Sequence, residues 1–198
     1  MLSQNNNSPV THGVGDLEIL QRLIFSAKKG DKEAFEKVYT LLFTPLYRYV
    51  ISKCHETELA QDICQQTFLK FYQALPVYEP DKSPLAYLFT IAKRLLINHA
   101  DKRASISFDE TLVETYGDES IDIIGITHTH LLAETIDTYL PSLSSDEQEV
   151  IRLYFYAELG YKEISDILDK EEAYIRKIKE RALKKLRILT HHLYEGQN

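Results

Sequence analysis

The stretch from Lys170 to Leu189 places cations and apolar residues on opposite sides of one helix. The apolar positions recur at three- and four-residue steps and comprise Ile175, Ile178, Ala182, Leu186 and Leu189. The opposite face carries Arg176, Lys177, Lys179, Arg181, Lys184, Lys185 and Arg187. Lys and Arg neutralise phosphate, and a guanidinium also binds the edge of a guanine base through two hydrogen bonds. The pattern therefore predicts contact with nucleic acid, and the alternative is a solvated terminal helix.

A shorter amphipathic segment, Tyr161 to Leu168, comes just before the basic one, and only the turn 169–171 separates them. Two helices joined by a tight turn, the second of them basic, are typical of a helix-turn-helix whose second helix enters the major groove of DNA. The residues in its first turns, where base edges are reached, are Glu172, Ala173, Arg176 and Lys177. The cations expected to meet phosphates are Lys179, Arg181 and Lys184.

These two segments resemble the DNA-recognition end of bacterial sigma factors. In that family a helix reading roughly EIA-x-x-L precedes one that ends in I-R-x-I-x-x-x-A-L-x-K-L-R. The matching residues here are Glu163-Ile164-Ser165 with Leu168, then Ile175-Arg176, Ile178, Ala182-Leu183 and Lys185-Leu186-Arg187. Apolar positions and cations therefore agree together.

Three further motifs resemble those of the extracytoplasmic-function (ECF) type of sigma factor. The family carries G-D-x-x-A-F, then A-E-D-I-x-Q-E-T-F, then W-L-x-x-I-A-x-N with basic residues after it. This chain has, in the same order, GDKEAF at 30–35, AQDICQQTF at 60–68 and YLFTIAKR at 87–94. The resemblance implies a sigma factor that directs core RNA polymerase to specific promoters and initiates transcription. It implies core RNA polymerase and promoter DNA as partners, with an anti-sigma factor as a further candidate.

Composition and charge agree with an all-α protein that contacts DNA. The chain of 198 residues has only seven glycines and six prolines, and long runs of helical periodicity. Its net charge of −7 does not exclude nucleic acid, because the location of the cations matters more than their sum. Residues 170–187 hold eight Lys or Arg against three Glu, whereas residues 104–151 hold eleven acids and no Lys or Arg.

Several other classes of protein are not expected. No apolar run approaches the ~20 residues needed to cross a bilayer, and the polar N-terminus is unlike a secretory signal, so we expect a cytoplasmic protein without membrane insertion. Cys54 and Cys64 lie outside any CxxC or His–Cys cluster, which argues against a disulfide or zinc site. His128 and His130 lack organised partners, so no metal is expected. No phosphate-binding loop or catalytic motif is present, so we expect neither an enzyme nor a cofactor.

The pattern predicts two small helical domains, corresponding to sigma regions 2 and 4 and joined by an acidic linker. The predicted boundaries are a disordered tail at 1–16, the region 2 domain at 17–103, the linker at 104–129 and the region 4 helix-turn-helix domain at 130–192. Whether the two domains pack together in the free chain is left open.

Local signals predict where the helices begin and end. Gly30 is placed to end a first helix, Asp31 to cap a second, and Pro45 to break or kink it. Ser83 followed by Pro84 resembles the start of a fourth helix. In the second domain, Ser145 with Gln148 fits a capping box.

The family resemblance assigns functions to residues of the first half. Docking onto the largest polymerase subunit falls to one polar face of the third helix, formed by Asp62, Gln65 and Gln66. Capture of a flipped promoter base falls to the loop residues Tyr78, Asp81 and Lys82, with Tyr72 as a stacking candidate. Contact with promoter phosphates is assigned to the cationic end of the fourth helix, formed by Lys93, Arg94, Lys102 and Arg103. The alternatives are a solvated face, an idle surface turn and cations that offset a helix dipole.

Two other functions remain open from the sequence. One is a stand-alone helix-turn-helix regulator that binds a palindromic operator without polymerase. The other is a sigma-like interaction module that titrates polymerase or another factor.

Overall fold

A computed structural model of the chain describes residues 17–79, 83–107 and 138–195, and the regular elements within these ranges are all helical. The predicted all-α class is thereby confirmed. The predicted tail at 1–16, the linker from residue 108 onward and residues 130–137 of the second domain lie outside the described residues. So do Asp81, Lys82, His128 and His130.

Helices α1 (Leu17–Lys28), α2 (Lys32–Cys54), α3 (Thr57–Ala74) and α4 (Pro84–Ser107) form the first half, and a short 3₁₀ turn, Leu75–Val77, follows α3. Gly30 adopts a left-handed conformation, with φ of 95°, immediately after α1. The Asp31 carboxylate accepts a hydrogen bond from the Ala34 N–H at 3.1 Å, and the Ser83 hydroxyl accepts one from the Ala86 N–H at 3.4 Å. The caps predicted at Asp31 and Ser83 are therefore confirmed.

Of the break or kink predicted at Pro45, the break does not occur, because helix α2 passes through this residue without ending. A proline inside a helix removes one backbone hydrogen bond and costs about 3 kcal/mol. Buried apolar side chains lie on both sides of it, and Leu42, Leu46 and Val50 are each fully buried. Because each such side chain contributes roughly 1.5–3 kcal/mol by leaving water, one continuous helix is the more stable solution.

The second half comprises a 3₁₀ turn (Leu140–Ser142), α5 (Ser145–Ile151), a single π-helical turn (Arg152–Tyr156), α6 (Tyr161–Leu168) and α7 (Glu172–Glu195). The capping box predicted at Ser145 and Gln148 lies one residue earlier. The Ser144 hydroxyl accepts from the Glu147 N–H at 3.4 Å, and the Glu147 carboxylate accepts from the Ser144 N–H at 2.9 Å. Because Glu147 also meets cations of α7, tertiary contacts select the pair at 144 and 147.

The two halves pack against each other through a continuous apolar core. The buried side chains of α1–α4 contact a group from the second half that includes Val150, Leu153, Leu159 and Ile164. Helix α4 packs on α6, and α2 packs on the π-helical turn. A smaller cluster, which contains Leu140 and Ala182, joins the start of the second half to α7. The sequence leaves open whether the two halves pack together in the free chain, and the structure shows that they do.

We expect Pro45→Ala to raise the free energy of unfolding by about 1 kcal/mol or more, because alanine restores a backbone hydrogen bond inside a helix that is already continuous. Urea unfolding followed by circular dichroism measures the change. Thr44→Ala, at an exposed neighbouring position, is the control and should add only a few tenths of a kcal/mol. A less stable Pro45→Ala chain would contradict this account of α2.

Candidate nucleic-acid and protein interfaces

Helices α6 and α7 form a helix-turn-helix. Asp169 ends α6 in the left-handed conformation, with φ of 53°, and α7 begins three residues later. The Glu163 carboxylate accepts a hydrogen bond from the Gly160 N–H at 2.6 Å, which fixes the start of α6. Ile175 and Ile178 are buried beneath α7, as the sequence predicts. The opposite face of α7 is left to the basic residues.

Arg176 is held in place at the first turns of α7. Its guanidinium carbon lies 3.9 Å from the centre of the Tyr161 ring, and one terminal nitrogen lies 3.5 Å from the Glu172 carboxylate. Its side chain is 53% exposed. Stacking on an aromatic ring restricts a guanidinium without consuming its hydrogen-bond donors. Arg176 is therefore both oriented and accessible to a base edge.

The other predicted members of this surface divide into two groups. Ala173 and Lys177 are exposed beside Arg176, and Lys184 is exposed farther along α7. Lys179 instead lies over aromatic rings of its own domain, with its ammonium 4.0 Å from the Tyr154 ring centre and 4.8 Å from that of Tyr161. These two tyrosines are not among the predicted site residues. Their ring centres lie 5.4 Å apart, but residues 157–160 between them are not helical, so tertiary packing rather than a helical period brings them together beneath Lys179.

Arg181 turns toward α5. Its Nε lies 2.7 Å from one Glu147 oxygen, and the Lys185 ammonium lies 2.8 Å from the other. Burial raises the pKa of Glu147, but hydrogen bonds from Lys185, the Ser144 N–H and Arg181 outweigh it and lower the pKa to about 2. Arg181 is therefore bound within its own domain in this conformation, while its side chain remains 57% exposed.

The polar face of α3 borders an open groove of about 430 Å³ between α3 and α4. Asp62, Gln65 and Gln66 are all exposed, and Asp62 and Gln66 line the groove while Gln65 does not. The other lining residues are Leu59, Ile63, Leu95, Asn98, His99, Asp101 and Lys102. Leu69, one turn beyond Gln65 and Gln66, is 57% exposed. An exposed leucine beside amide and carboxylate groups is a suitable surface for another protein.

The two predicted base-capture residues that the structure describes, Tyr78 and Tyr72, differ in exposure. Tyr78 is 6% exposed and packs among rings of the core, 5.7 Å from Tyr87 and 6.2 Å from Phe71 between ring centres. Its backbone carbonyl accepts a hydrogen bond from the Lys28 ammonium at 2.7 Å. In this conformation the Tyr78 ring therefore cannot stack on a base. Tyr72 is 42% exposed and makes an edge contact with Phe35, so it remains accessible.

The cations of α4 fall on different sides of the helix. Lys93 and Lys102 are nine residues apart, which at 100° per residue places them about half a turn from each other. The Lys93 ammonium lies 3.8 Å from Glu149 of α5, whereas Lys102 lines the groove beside Asp62. Arg103 lies 3.5 Å from Glu56, and Arg94 is exposed. The four predicted phosphate contacts are thus distributed around α4 and do not form one patch.

Neither a metal-ligand cluster nor a membrane-spanning helix occurs in the described ranges. Among those residues, no three His, Cys, Asp or Glu side chains cluster as metal ligands. None of the helices described there combines the length and apolar character that crossing a bilayer requires. Cys54 and Cys64 are free thiols, and burial raises the pKa of Cys64 to about 12.

Two family models match the chain. Residues 34–106 match sigma-70 region 2, and residues 139–187 match sigma-70, region 4. The chain is 25% identical over 155 residues to the ECF RNA polymerase sigma factor SigM of Bacillus subtilis, which covers 78% of this chain and 93% of that protein. It is 28% identical over 142 residues to the RNA polymerase sigma factor YlaC of the same organism, covering 69% and 80%.

Solved structures share the fold. CnrH in complex with the cytosolic domain of CnrY superposes with a TM-score of 0.63 at 19% identity, over 91% of this chain and 99% of that one. The sigma factor RpoE of Bartonella quintana, in complex with the anti-sigma factor NepR, superposes with a TM-score of 0.60 at 21% identity, over 79% and 96%. At these identities the likeness extends to the fold alone.

We expect Glu147→Gln to lower the free energy of unfolding at pH 7 by about 2 kcal/mol, allowing for solvent around Arg181 and Lys185. The folded-state pKa of about 2 lies below the ordinary 4.5, so the stabilisation is full above pH 4.5 and is lost as the pH falls toward 2. Urea unfolding at several pH values should show a smaller acid-induced loss in Glu147→Gln than in the parent chain. Glu180→Gln removes the same charge at an exposed position and should keep the parent profile. Identical profiles for all three chains would contradict the assignment.

Proposed function

Because this chain belongs to the sigma-70 family and is of the extracytoplasmic-function type, we propose that its two halves divide the work of initiating transcription. The first half binds core RNA polymerase and opened promoter DNA, and the helix-turn-helix binds the upstream promoter element. The proposed domain boundaries are 17–103 and 130–192, with the acidic linker at 104–129. The observation that carries this division is the accessible, ring-stacked Arg176 on α7, far along the chain from the exposed polar face of α3.

Core polymerase binding is proposed for the α3 face. Asp62, Gln65 and Gln66 are exposed, and Leu69 adds apolar area that a partner would bury. The groove beside Asp62 and Gln66 offers a concave edge for a helix of the polymerase. Lys102 shares this groove, so it serves docking as well as phosphate contact.

Promoter opening is proposed for the α3–α4 end of the first half. Tyr72 offers an accessible ring for an unstacked base, and Lys93, Arg94 and Arg103 supply cations for the strand. Asp81 and Lys82 are proposed to contact the flipped base. Tyr78 supports their loop from the core, where its ring packs against Phe71 and Tyr87.

Recognition of the upstream element is proposed for the first turns of α7. Arg176 is oriented for a guanine contact, a kind of contact worth roughly 1–3 kcal/mol in discrimination. Glu172, Ala173 and Lys177 lie beside it, and Lys179 and Lys184 supply phosphate contacts. Arg181 contributes chiefly by fixing α7 to Glu147.

The protein is proposed to catalyse no reaction itself and to act in the cytoplasm, where polymerase works. Its binding to DNA positions polymerase at the promoter and stabilises bases that have left the stack. RpoE and CnrH were each solved with a bound protein, NepR and the cytosolic domain of CnrY. Their shared fold supports an anti-sigma factor as a third partner of this chain.

Run-off transcription with purified core RNA polymerase tests the proposal as a whole. We expect transcripts that start at specific promoters only when this chain is added. Core binding without any transcript would indicate a module that titrates polymerase. Binding to a palindromic duplex without polymerase would indicate a stand-alone regulator.

We expect Arg176→Glu to reduce promoter-specific run-off by at least tenfold, because it replaces a guanine contact of ~1–3 kcal/mol with repulsion from DNA. Binding to core polymerase, measured by gel shift or light scattering, should stay unchanged. Arg22→Glu, a charge reversal at an exposed site on α1, is the matched control and should retain transcription. Equal loss of transcription and core binding in Arg176→Glu would contradict the division of labour.

Conversely, we expect Gln66→Arg combined with Asp62→Arg to weaken core binding by about tenfold or more, because two large cations would enter the docking face. The unfolding midpoint of the double variant should differ from that of the parent chain by no more than surface substitutions usually cause. Glu36→Arg, on the exposed side of α2, is the control. Unaltered core binding in the double variant would move the docking surface elsewhere.

A further inference from the structure

One carboxylate of the second half lies among three donors of the first. The Tyr49 hydroxyl donates a hydrogen bond to Glu149 Oε1 at 2.7 Å, and the Lys53 ammonium donates to Oε2 at 2.5 Å. The Lys93 ammonium lies 3.8 Å from Oε1. Tyr49 and Lys53 belong to α2 and Lys93 to α4, so this cluster spans two helices of the first half.

Glu149 and Tyr49 are largely withdrawn from water, whereas the Lys93 side chain at the edge of the cluster is 51% exposed. The side chain of Glu149 is 12% exposed, that of Lys53 is 23% exposed, and Tyr49 as a residue is 1% exposed. Burial raises the pKa of Glu149, but Lys53, the Tyr49 hydroxyl and Lys93 outweigh it and hold the pKa below its ordinary value. A buried charge is tolerated only when it is paired and hydrogen-bonded, and here both oxygens are bonded. The site therefore fits a carboxylate closely.

The surroundings make this site the polar centre of the contact between the halves. Val150, next to Glu149 in the chain, and Leu153, four residues beyond it, are fully buried in the shared core. At the edge, Arg48 of α2 pairs with Glu158 at 2.7 Å. Apolar contacts are undirected, whereas the hydrogen bonds to Glu149 fix one orientation of the second half on the first.

We propose that Tyr49, Lys53 and Lys93 form an anion-binding site on the first half, which Glu149 occupies in the free chain and which a promoter phosphate takes over at Lys93 when the halves separate. The inference rests on the proposed function. Carboxylate and phosphate oxygens accept the same charge-assisted hydrogen bonds, so they compete for one ammonium. Glu149 thus holds the chain closed until the free energy gained by binding DNA and polymerase exceeds the free energy of the contact between the halves.

Separation is compatible with the rest of the molecule. Residues 108–137 connect the halves covalently and would permit a gap on the order of 100 Å if fully extended. Asp62, Gln65 and Gln66 are exposed while the halves are closed. Core polymerase can therefore dock on the closed chain first, and the second half can leave afterwards.

Small-angle X-ray scattering of the free full-length chain tests the closure. We expect the radius of gyration to rise in Glu149→Gln and in Lys53→Gln, because each change leaves buried polar groups without their charged partner. Asp146→Asn removes the same charge from an exposed position of α5 and should keep the compact profile. Circular dichroism checks that every variant remains helical. Compact profiles for both Glu149→Gln and Lys53→Gln would overturn the proposal.

Binding of the free chain to a double-stranded promoter oligonucleotide tests the competition. Both Glu149→Gln and Asp146→Asn remove one negative charge, so the net charge of the chain and its long-range repulsion from DNA change by the same amount. We expect Glu149→Gln to bind about fivefold tighter than Asp146→Asn. In Glu149→Gln, binding no longer has to supply the free energy that separates the two halves. Equal affinities would overturn the competition at Lys93. Run-off transcription by the parent chain tests the proposed function separately, since closure can exist in a chain that does not transcribe.

Discussion

The structure depends on helix α5 and on two carboxylates that it carries two residues apart. Consecutive helical positions turn by 100°, so Glu147 and Glu149 point to nearly opposite sides. Glu147 binds Arg181 and Lys185 and thereby fixes α7 within its own half. Glu149 binds Tyr49 and Lys53 and fixes that half on the other. A short helix of seven residues thus connects α7 to the first half of the chain.

This arrangement explains why an acidic region is compatible with a DNA-binding protein. The two glutamates are the last acids of the stretch that contains no Lys or Arg, and both are neutralised by cations from elsewhere in the fold. The cations they engage are partly those expected to meet DNA, namely Arg181 and Lys93. Internal carboxylates therefore reduce the number of cations offered to phosphate while the chain is closed, and opening restores one of them.

In the helix-turn-helix, cations are likewise held in place by neighbouring side chains. Arg176 is stacked on Tyr161 and paired with Glu172, and Lys179 lies over two rings. A long side chain loses rotamer freedom when it binds a base, and prior restriction by a ring reduces that loss. The aromatic residues before α7 thus order the cations of the proposed recognition surface, although they carry no charge themselves.

The sequence by itself determined the all-α class, the buried stripe of α7 and the caps at Asp31 and Ser83, because each depends on residues close together in the chain. It also determined the family, through motifs that are local. It left a break or a kink open at Pro45, where packing on both sides of α2 keeps the helix continuous. It placed the capping box at Ser145, whereas the cations of α7 favour Ser144 with Glu147. Only the tertiary structure decided that Tyr78 is buried, that Arg181 faces Glu147 and that Glu149 meets α2, because these contacts join residues 34 to 100 positions apart or depend on how helices pack. Periodicity gives the face of a helix on which a residue lies, and packing alone gives what that face contacts.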